Sequence, residues 1–463
     1  MTQKHSIDPH NVIARSEGPS YQELLDREQV AAPGSLREDT VPYLGSENIP
    51  FERYLRRAFH DREVEKLWPK SWLMVCRESQ LPNPGDYLSY DITRYSILVV
   101  RSPSGVLRGY HNSCRHRGRI LKRGSGNATE LRCPYHSFAW DLDGTFKGAP
   151  CMWDFSHIDT DNFGLPEVKL ATWGGWVFIN MDLDATPLLE HMGIVPEHFA
   201  RWEIDQRYVS MHIEKVIACN WKVATEAFVE SYHAIQTHPQ ILVYSGIDNS
   251  QYDVWGDNVS RTITTMGVVN PSHTNVYTEQ DCIDTILGTS ALIGSSDEEQ
   301  TIEQGRTARE RIAEISYADF NAQWGRDIRG EATQSEVMDS ILYLVFPNFM
   351  PWGGYLPTLT YRHRPNGDDH ESCIMDIYIL THFPEGSARP ADASTIRLGI
   401  DEPFSKAKEM GEALGRIFDQ DGANLPQVQR GMKASRTGEG VLANYQEIRI
   451  RQFHQTLDKY LDA

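Results

Sequence analysis

Cysteine is scarce in this chain and odd in number. Seven thiols among 463 residues make no disulfide scaffold and point to a reducing compartment, where Cys and His serve more often as metal ligands. Long apolar runs are missing too. The longest, Ile341 to Phe349, is interrupted by Pro347 and Asn348, short of the ~18 apolar residues a membrane helix needs. The opening MTQKHSIDPH has no basic stretch followed by an apolar one, so no secretory signal is read. Positive charge is in deficit: 45 Lys and Arg against 64 Asp and Glu give a formal net charge of −19, which phosphate backbones repel. Glycine (34) and proline (24) stand at ordinary abundance, excluding collagen-like and low-complexity architectures. The expectation is a cytoplasmic protein with no nucleic-acid and no membrane partner, long enough for two or three domains.

Periodicity divides what is present. Residues 1–50 read as a polar, proline-bearing arm with one helix around Tyr21 to Val30. Helical spacing from Phe51 to Trp68 ends at Pro69. Between 72 and 182 short runs such as Tyr95 to Val100 and Trp176 to Ile179 alternate with turn punctuation, the signature of a β-domain. Beyond Asp182 the pattern is mixed. Helical stretches follow Asn220 and lie between Asp297 and Glu314, the latter charged and expected on the surface. Strands are expected at Leu356 to Arg362 and Cys373 to Thr381, and closing helices at 404–432 and 442–461. The fold class is α+β: an arm (1–50), an all-β domain (51–185), then a larger domain (186–463) with a central antiparallel sheet and helices.

Two clusters of residues carry chemistry. Cys114 and His116 are separated by sixteen residues from Cys133 and His136, each pair in a hairpin-like loop. Zinc would accept two thiolates and two imidazoles. Zinc sites, however, usually group like ligands two to four residues apart, whereas here each loop offers one of each kind. A Rieske [2Fe–2S] centre needs two Cys on one iron and two His on the other, so two similar loops meet its demand. Arg115, Arg117, Arg119, Lys122 and Arg123 crowd the first loop. They read either as a solvated turn or subunit contact, or as a docking surface for an acidic electron donor.

The second cluster starts at Asn220, a plausible N-cap. Glu226, Glu230 and His233, spaced i, i+4, i+7, would share one stripe of the helix it begins. His238 lies off that stripe, but Pro239 disfavours helical backbone at His238, so the chain should bend and let both imidazoles converge. With a carboxylate they would form the 2-His-1-carboxylate arrangement of non-haem Fe(II) oxygenases, which leaves coordination positions open. Asp421 is the chosen carboxylate and Asp419 its local rival.

Cys114 to Gly118, Cys133 to His136, Asn220 to Lys222, the Glu-x₃-Glu-x₂-His-x₄-His stretch and the Asp421 segment together resemble the α-subunit of Rieske non-haem iron ring-hydroxylating oxygenases, from about Phe51 onward. The resemblance implies a Rieske domain followed by a helix-grip (START-like) catalytic domain. It implies that Cys114, His116, Cys133 and His136 hold the [2Fe–2S] cluster, and that His233, His238 and Asp421 hold mononuclear Fe(II). Residue 230 would bridge His233 to the cluster ligand His136 of a neighbouring subunit. The commoner residue there is Asp, and this chain has Glu230; Ser137 likewise stands where Gly is usual and is read as neutral. The implied partners are a ferredoxin and/or reductase drawing on NAD(P)H, O₂ and a small apolar substrate, in a homotrimer with or without a β-subunit. The leading expectation is cis-dihydroxylation in aromatic hydrocarbon catabolism. The alternative is monooxygenation of an alicyclic carbon or O-/N-demethylation, and a distant one is a non-catalytic electron carrier. Candidate pocket residues are Phe228, Ile235, Leu242 and Ile247 on one stretch, and Leu344, Phe346, Phe349 and Trp352 on another.

Overall fold

The computed structural model describes residues 16–289 and 300–463, in two compact units. One comprises 60–191 with the short segments 365–369 and 460–463; the other holds the chain up to Phe59 with 192–364 and 370–459.

The smaller unit is a β-structure. Its seven-stranded sheet runs in the order Leu73–Arg77, Trp176–Asn180, Glu167–Trp173, Leu107–His111, Tyr95–Arg101, Asp86–Ile92, Ser125–Asn127, every pair antiparallel. The β-branched run Ile97 to Val100 is wholly buried, as suits a central strand. A smaller sheet joins Leu131–Arg132, Ala139–Trp140 and Phe146–Gly148. Its core is aromatic, with Trp140 stacked on Phe163 at 6.3 Å and Phe146 edge-on to Phe163 at 4.9 Å.

The larger unit is built on a curled sheet. Gln251–Trp255, Val259–Thr264 and Ser340–Val345 form one antiparallel part. Bridges Leu342 to Trp352 and Val345 to Phe349 carry it into the second, ordered Met350–Pro351, Thr358–Asn366, Asp369–Thr381, Tyr208–Ile217, Thr395–Leu398. Only the last pairing is parallel. The 23-residue helix Glu412–Ala434 lies against this sheet, with Phe418 stacked 6.0 Å from Phe228 and 5.4 Å from Phe404. The α+β class and the helix-grip arrangement are therefore present.

Several expectations need correction. The residues before 50 are not a separate arm: from Ser16 onward they are stitched into the larger unit, Tyr21 meeting Ser335 at 2.9 Å and Trp255 Nε1 donating to Glu38 at 2.7 Å. The early helix stops at Asp26, and the stretch from Phe51 to Trp68 is broken into Glu52–Leu55, Arg57–Arg62 and a tightly coupled π and 3₁₀ segment. Asp297 lies outside the described residues. The helix expected near it begins at Ala308, capped by Thr307 and Glu310, and runs to Trp324 with Arg309, Ile312, Tyr317 and Phe320 buried, so it is a packed helix rather than a solvated one.

Buried ion pairs tie the curled sheet. Arg261 and Asp253, both without solvent exposure, meet at 2.6 Å, and Arg261 also donates to Tyr343. Such a pair contributes little over apolar packing while intact, but losing one partner strands a charge. Arg261→Ala should cost about 3–5 kcal/mol, measured as a lower midpoint of urea denaturation.

Candidate metal centres

The two Cys–His loops have the same backbone pattern. Cys114 N donates to Arg119 O and Gly118 N to Cys114 O; Cys133 N donates to Phe138 O and Ser137 N to Cys133 O. Each loop therefore folds back on its cysteine through a residue in the left-handed region, Gly118 at φ 72° and Ser137 at φ 61°. Gly118 adopts this freely; a side-chain-bearing residue does not, so Ser137 is strained rather than neutral.

The loops bring both thiols to the interior, hydrogen-bonded to each other, and set the His116 and His136 rings 4.8 Å apart. Burial, with Cys133 alongside, pushes the Cys114 thiol up. Desolvation, Arg117 and His116 hold His136 below its ordinary value, so its imidazole is neutral. His116 stacks on Phe138 at 4.6 Å, and its buried Nδ1 has no hydrogen-bond partner. Part of the basic cluster is used locally. Arg115 donates to the carbonyls of Asn162 and Gly164, and Arg117 lies over Tyr135 and reaches His136 Nε2 at 2.9 Å.

In the larger unit Asn220 caps a helix by accepting from Lys222 N, but the helix ends at Ala227. The shared stripe expected of Glu226, Glu230 and His233 does not form. Ser231 bonds to the Tyr252 hydroxyl through both its N–H and its own hydroxyl, drawing the backbone out of the helical ladder. Glu230 then holds His233, the residue before the next short helix, Ala234–Thr237: Oε2 accepts from His233 N at 2.9 Å and Oε1 from His233 Nδ1 at 2.7 Å. His238, at φ −125° ahead of Pro239, ends that helix and turns its ring back.

Asp421, on Glu412–Ala434, meets both rings. Its Oδ1 lies 2.9 Å from His238 Nε2 and 3.6 Å from His233 Nε2, and one ligand atom from each of the three falls within 4.8 Å of the others. Asp419 is otherwise engaged, accepting from the Phe404 and Ser405 N–H groups. Burial works against charging His233, but Glu230 and Asp421 outweigh it and push its pKa up to about 10. Burial likewise opposes the Asp421 carboxylate, yet its bonds to the two imidazoles hold it below the ordinary value. The group is electrostatically set for a cation. Sequence reasoning missed Gln420, whose Oε1 accepts from His238 Nδ1 at 2.9 Å and so directs Nε2 at the centre. Its only sequence signal is adjacency to Asp421.

A cavity of about 230 Å³ opens on His233, His238 and Asp421. Of the candidate pocket residues Phe228, Ile247 and Trp352 line it. Ile235 and Leu242 do not; they pack with Ala234 and Ile247 in a small core behind the bend. Leu344, Phe346 and Phe349 are buried outside the cavity's lining, Phe346 packing on Phe453 at 5.5 Å. The strand Ser340–Val345 gives Ser340 and Leu342 to the wall, while Leu344, further along it, is not part of the lining. Tyr361, Leu359 and Phe418 line it without having been singled out.

The family model for the ring hydroxylating alpha subunit (catalytic domain) matches residues 197–463, more than half of the chain. The chain belongs to this family. A Rieske [2Fe-2S] domain model matches residues 71–163. The carnitine monooxygenase oxygenase subunit of Escherichia coli (strain K12) is 34% identical over 194 residues, 41% of this chain and 52% of that protein. Biphenyl 2,3-dioxygenase subunit alpha of Rhodococcus jostii (strain RHA1) is 32% identical over 201 residues, 42% and 44%. The chain thus spans about half the length of the curated relatives it matches. Among solved structures the quaternary ammonium Rieske monooxygenase CntA with an inhibitor has a TM-score of 0.64 at 20% identity, covering 91% of this chain and 99% of that one. Naphthalene 1,2-dioxygenase from Rhodococcus sp. bound to indole has 0.60 at 20%, covering 89% and 94%. These likenesses show the fold.

The ring-hydroxylating α-subunits carry a Rieske [2Fe-2S] cluster and mononuclear iron, and the donor sets fit both. Two paired thiols and two imidazoles, one with a buried unpartnered Nδ1, suit the cluster; two imidazoles and one carboxylate suit the single iron. Asp421→Asn should lower iron retained after gel filtration by tenfold or more, whereas Asp419→Asn should leave it unchanged, measured by elemental analysis. Ser137→Gly should stabilise the β-unit by about 1 kcal/mol, read as a higher thermal midpoint.

Proposed function

We propose that this chain is the terminal oxygenase component of a multicomponent system and works as a monooxygenase, hydroxylating a carbon or removing a methyl group from nitrogen or oxygen. The observation carrying an oxygenase reading is that one mostly apolar cavity touches all three members of the His233, His238, Asp421 group. The choice of monooxygenation rests on relatives named carnitine and glycine betaine monooxygenase subunits, and it replaces cis-dihydroxylation as the leading expectation. Aromatic hydrocarbon catabolism is correspondingly set aside as the leading role.

In this reading Cys114, His116, Cys133 and His136 hold the cluster, and His233, His238 and Asp421 hold the iron. When bound, these groups supply one-electron transfer and O₂ activation. Overall, a C–H bond, O₂, two electrons and two protons give C–OH and water. The electrons come from NAD(P)H through a ferredoxin and/or reductase, and the oxygenase works as a homotrimer in the cytoplasm. Among the described residues no helix is long and apolar enough to cross a membrane. The chain's own groups prepare the site. Glu230 fixes the His233 ring through Nδ1, as Gln420 fixes His238. Glu230 also borders a second cavity with Glu226 and Glu447, where it can accept from an imidazole of a partner subunit. Phe228, Leu342 and Trp352 exclude water from the reacting carbon.

Single-turnover reaction under labelled O₂ should give either a product with one labelled oxygen or, for a demethylation, an unlabelled amine or alcohol with one formaldehyde released per O₂; a doubly labelled diol would reject monooxygenation. His238→Ala should abolish product while preserving the cluster's electron paramagnetic resonance signal, and retained turnover would remove His238 from the iron site.

A further inference from the structure

Several polar groups in the wall of the cavity at the His233, His238, Asp421 group already have partners behind them. Arg309 holds Asp339 through two bonds, Nη1 to Oδ1 at 2.6 Å and Nη2 to Oδ2 at 2.8 Å, and is itself anchored to the Met266 carbonyl. Glu336 accepts from Trp202 Nε1 and from Thr333 N, both at 2.9 Å. Thr264 meets Ser250 at 2.9 Å, and Thr358 accepts from Arg207 at 3.0 Å. These groups are spent on the fold. The Ser245 hydroxyl has no partner, but that atom is itself buried.

Tyr361 is different. Its ring is held by Phe228 at 4.9 Å and Phe418 at 6.0 Å, and stands edge-on to Trp352 at 6.3 Å. Its hydroxyl lies near enough to the triad for the Asp421 charge to act on it. Trp352 Nε1 is directed at the hydroxyl oxygen, just short of bonding geometry, and has no other partner. Burial and Asp421 push this hydroxyl well above its ordinary value, so it keeps its proton. An indole N–H only donates, so the tyrosine oxygen faces a donor and its own hydrogen needs an acceptor elsewhere. Among the described residues none meets it, and Tyr361 lines the cavity. A metal ion at the triad draws on lone pairs and cannot accept that hydrogen either.

An occupant with an oxygen at this point completes the bond. One without it displaces the cavity's water and leaves a buried O–H unmet, which is how a site built around a hydroxyl rejects the analogue lacking its partner. We infer that Tyr361 is a specificity-determining residue whose hydroxyl donates to a substrate oxygen close to the carbon that is attacked, so that the substrate is a ketone, ether or alcohol rather than a plain hydrocarbon. Trp352 is the positioning residue for this bond. This rests on the oxygenase reading above, but not on the choice between one and two transferred oxygens.

Acetophenone and α-methylstyrene share one shape and differ by an oxygen against a methylene. Calorimetric titration of both into the metal-loaded enzyme and its Tyr361→Phe variant should show acetophenone weakened roughly tenfold by the substitution and α-methylstyrene unchanged. The carbonyl stretching band of bound acetophenone should lie lower in the wild type than in Tyr361→Phe. Equal loss for both probes would make the ring a mere filler of space. That result, an acetophenone affinity unmoved by the substitution, or no acetophenone binding would overturn the inference. Probe binding involves no turnover, so an enzyme that holds acetophenone in this way yet transfers no labelled oxygen would fail the oxygenase reading alone.

Discussion

Asp421 Oδ1 is the point where separate local structures are tied together. It is reached by His238 from the end of one short helix and by His233 from the start of that helix, while Asp421 itself rides on the long helix laid against the curled sheet. Two buried groups and one half-buried group of this kind are costly unless a positive charge is shared among them. The surrounding residues arrange for that sharing: Glu230 and Gln420 hold the outer nitrogens of the rings, so that the inner ones converge. A metal ion held by His233, His238 and Asp421 would meet that demand.

The β-unit solves a related problem by repetition. Each cysteine loop closes on itself through a left-handed residue and presents one sulfur and one imidazole, so the same small fold is used twice to build a site with two unlike ends. The aromatic packing of Phe138, Trp140 and Phe163 beneath keeps water from the thiols.

The chemistry of the site was legible in residue type and spacing because ligands are a matter of atoms available. Pro239 foretold the bend at His238, and the pairing of one Cys with one His in each loop foretold two similar hairpins. The path between Glu226 and His233 was not legible. Helical spacing is a local property, while the bond from Ser231 to Tyr252, a residue of another strand, is not. Pocket residues were the least legible. Leu344 and Leu342 are alike in sequence and two apart on one strand, and only the position of the cavity along that strand separates wall from core. The early chain likewise read as an arm because its buried apolar residues, Leu24, Leu25, Leu36 and Val41, are too sparsely spaced to set a period and are joined by polar bonds such as Tyr21 to Ser335.

The clasp of Arg309 on Asp339 has an evolutionary consequence. Neutralising the acid alone would leave the guanidinium to Glu28 at 3.4 Å and the Met266 carbonyl, and removing the arginine alone would leave the acid only the Met266 N–H, so each single step at this wall passes through a less stable ancestor. Divergence at this wall therefore requires coordinated double replacement. The tuning of neighbouring apolar positions such as Leu342 and Met266 carries no such epistatic toll, and the descendants of such a scaffold are expected to differ first in pocket contour and only later in polarity.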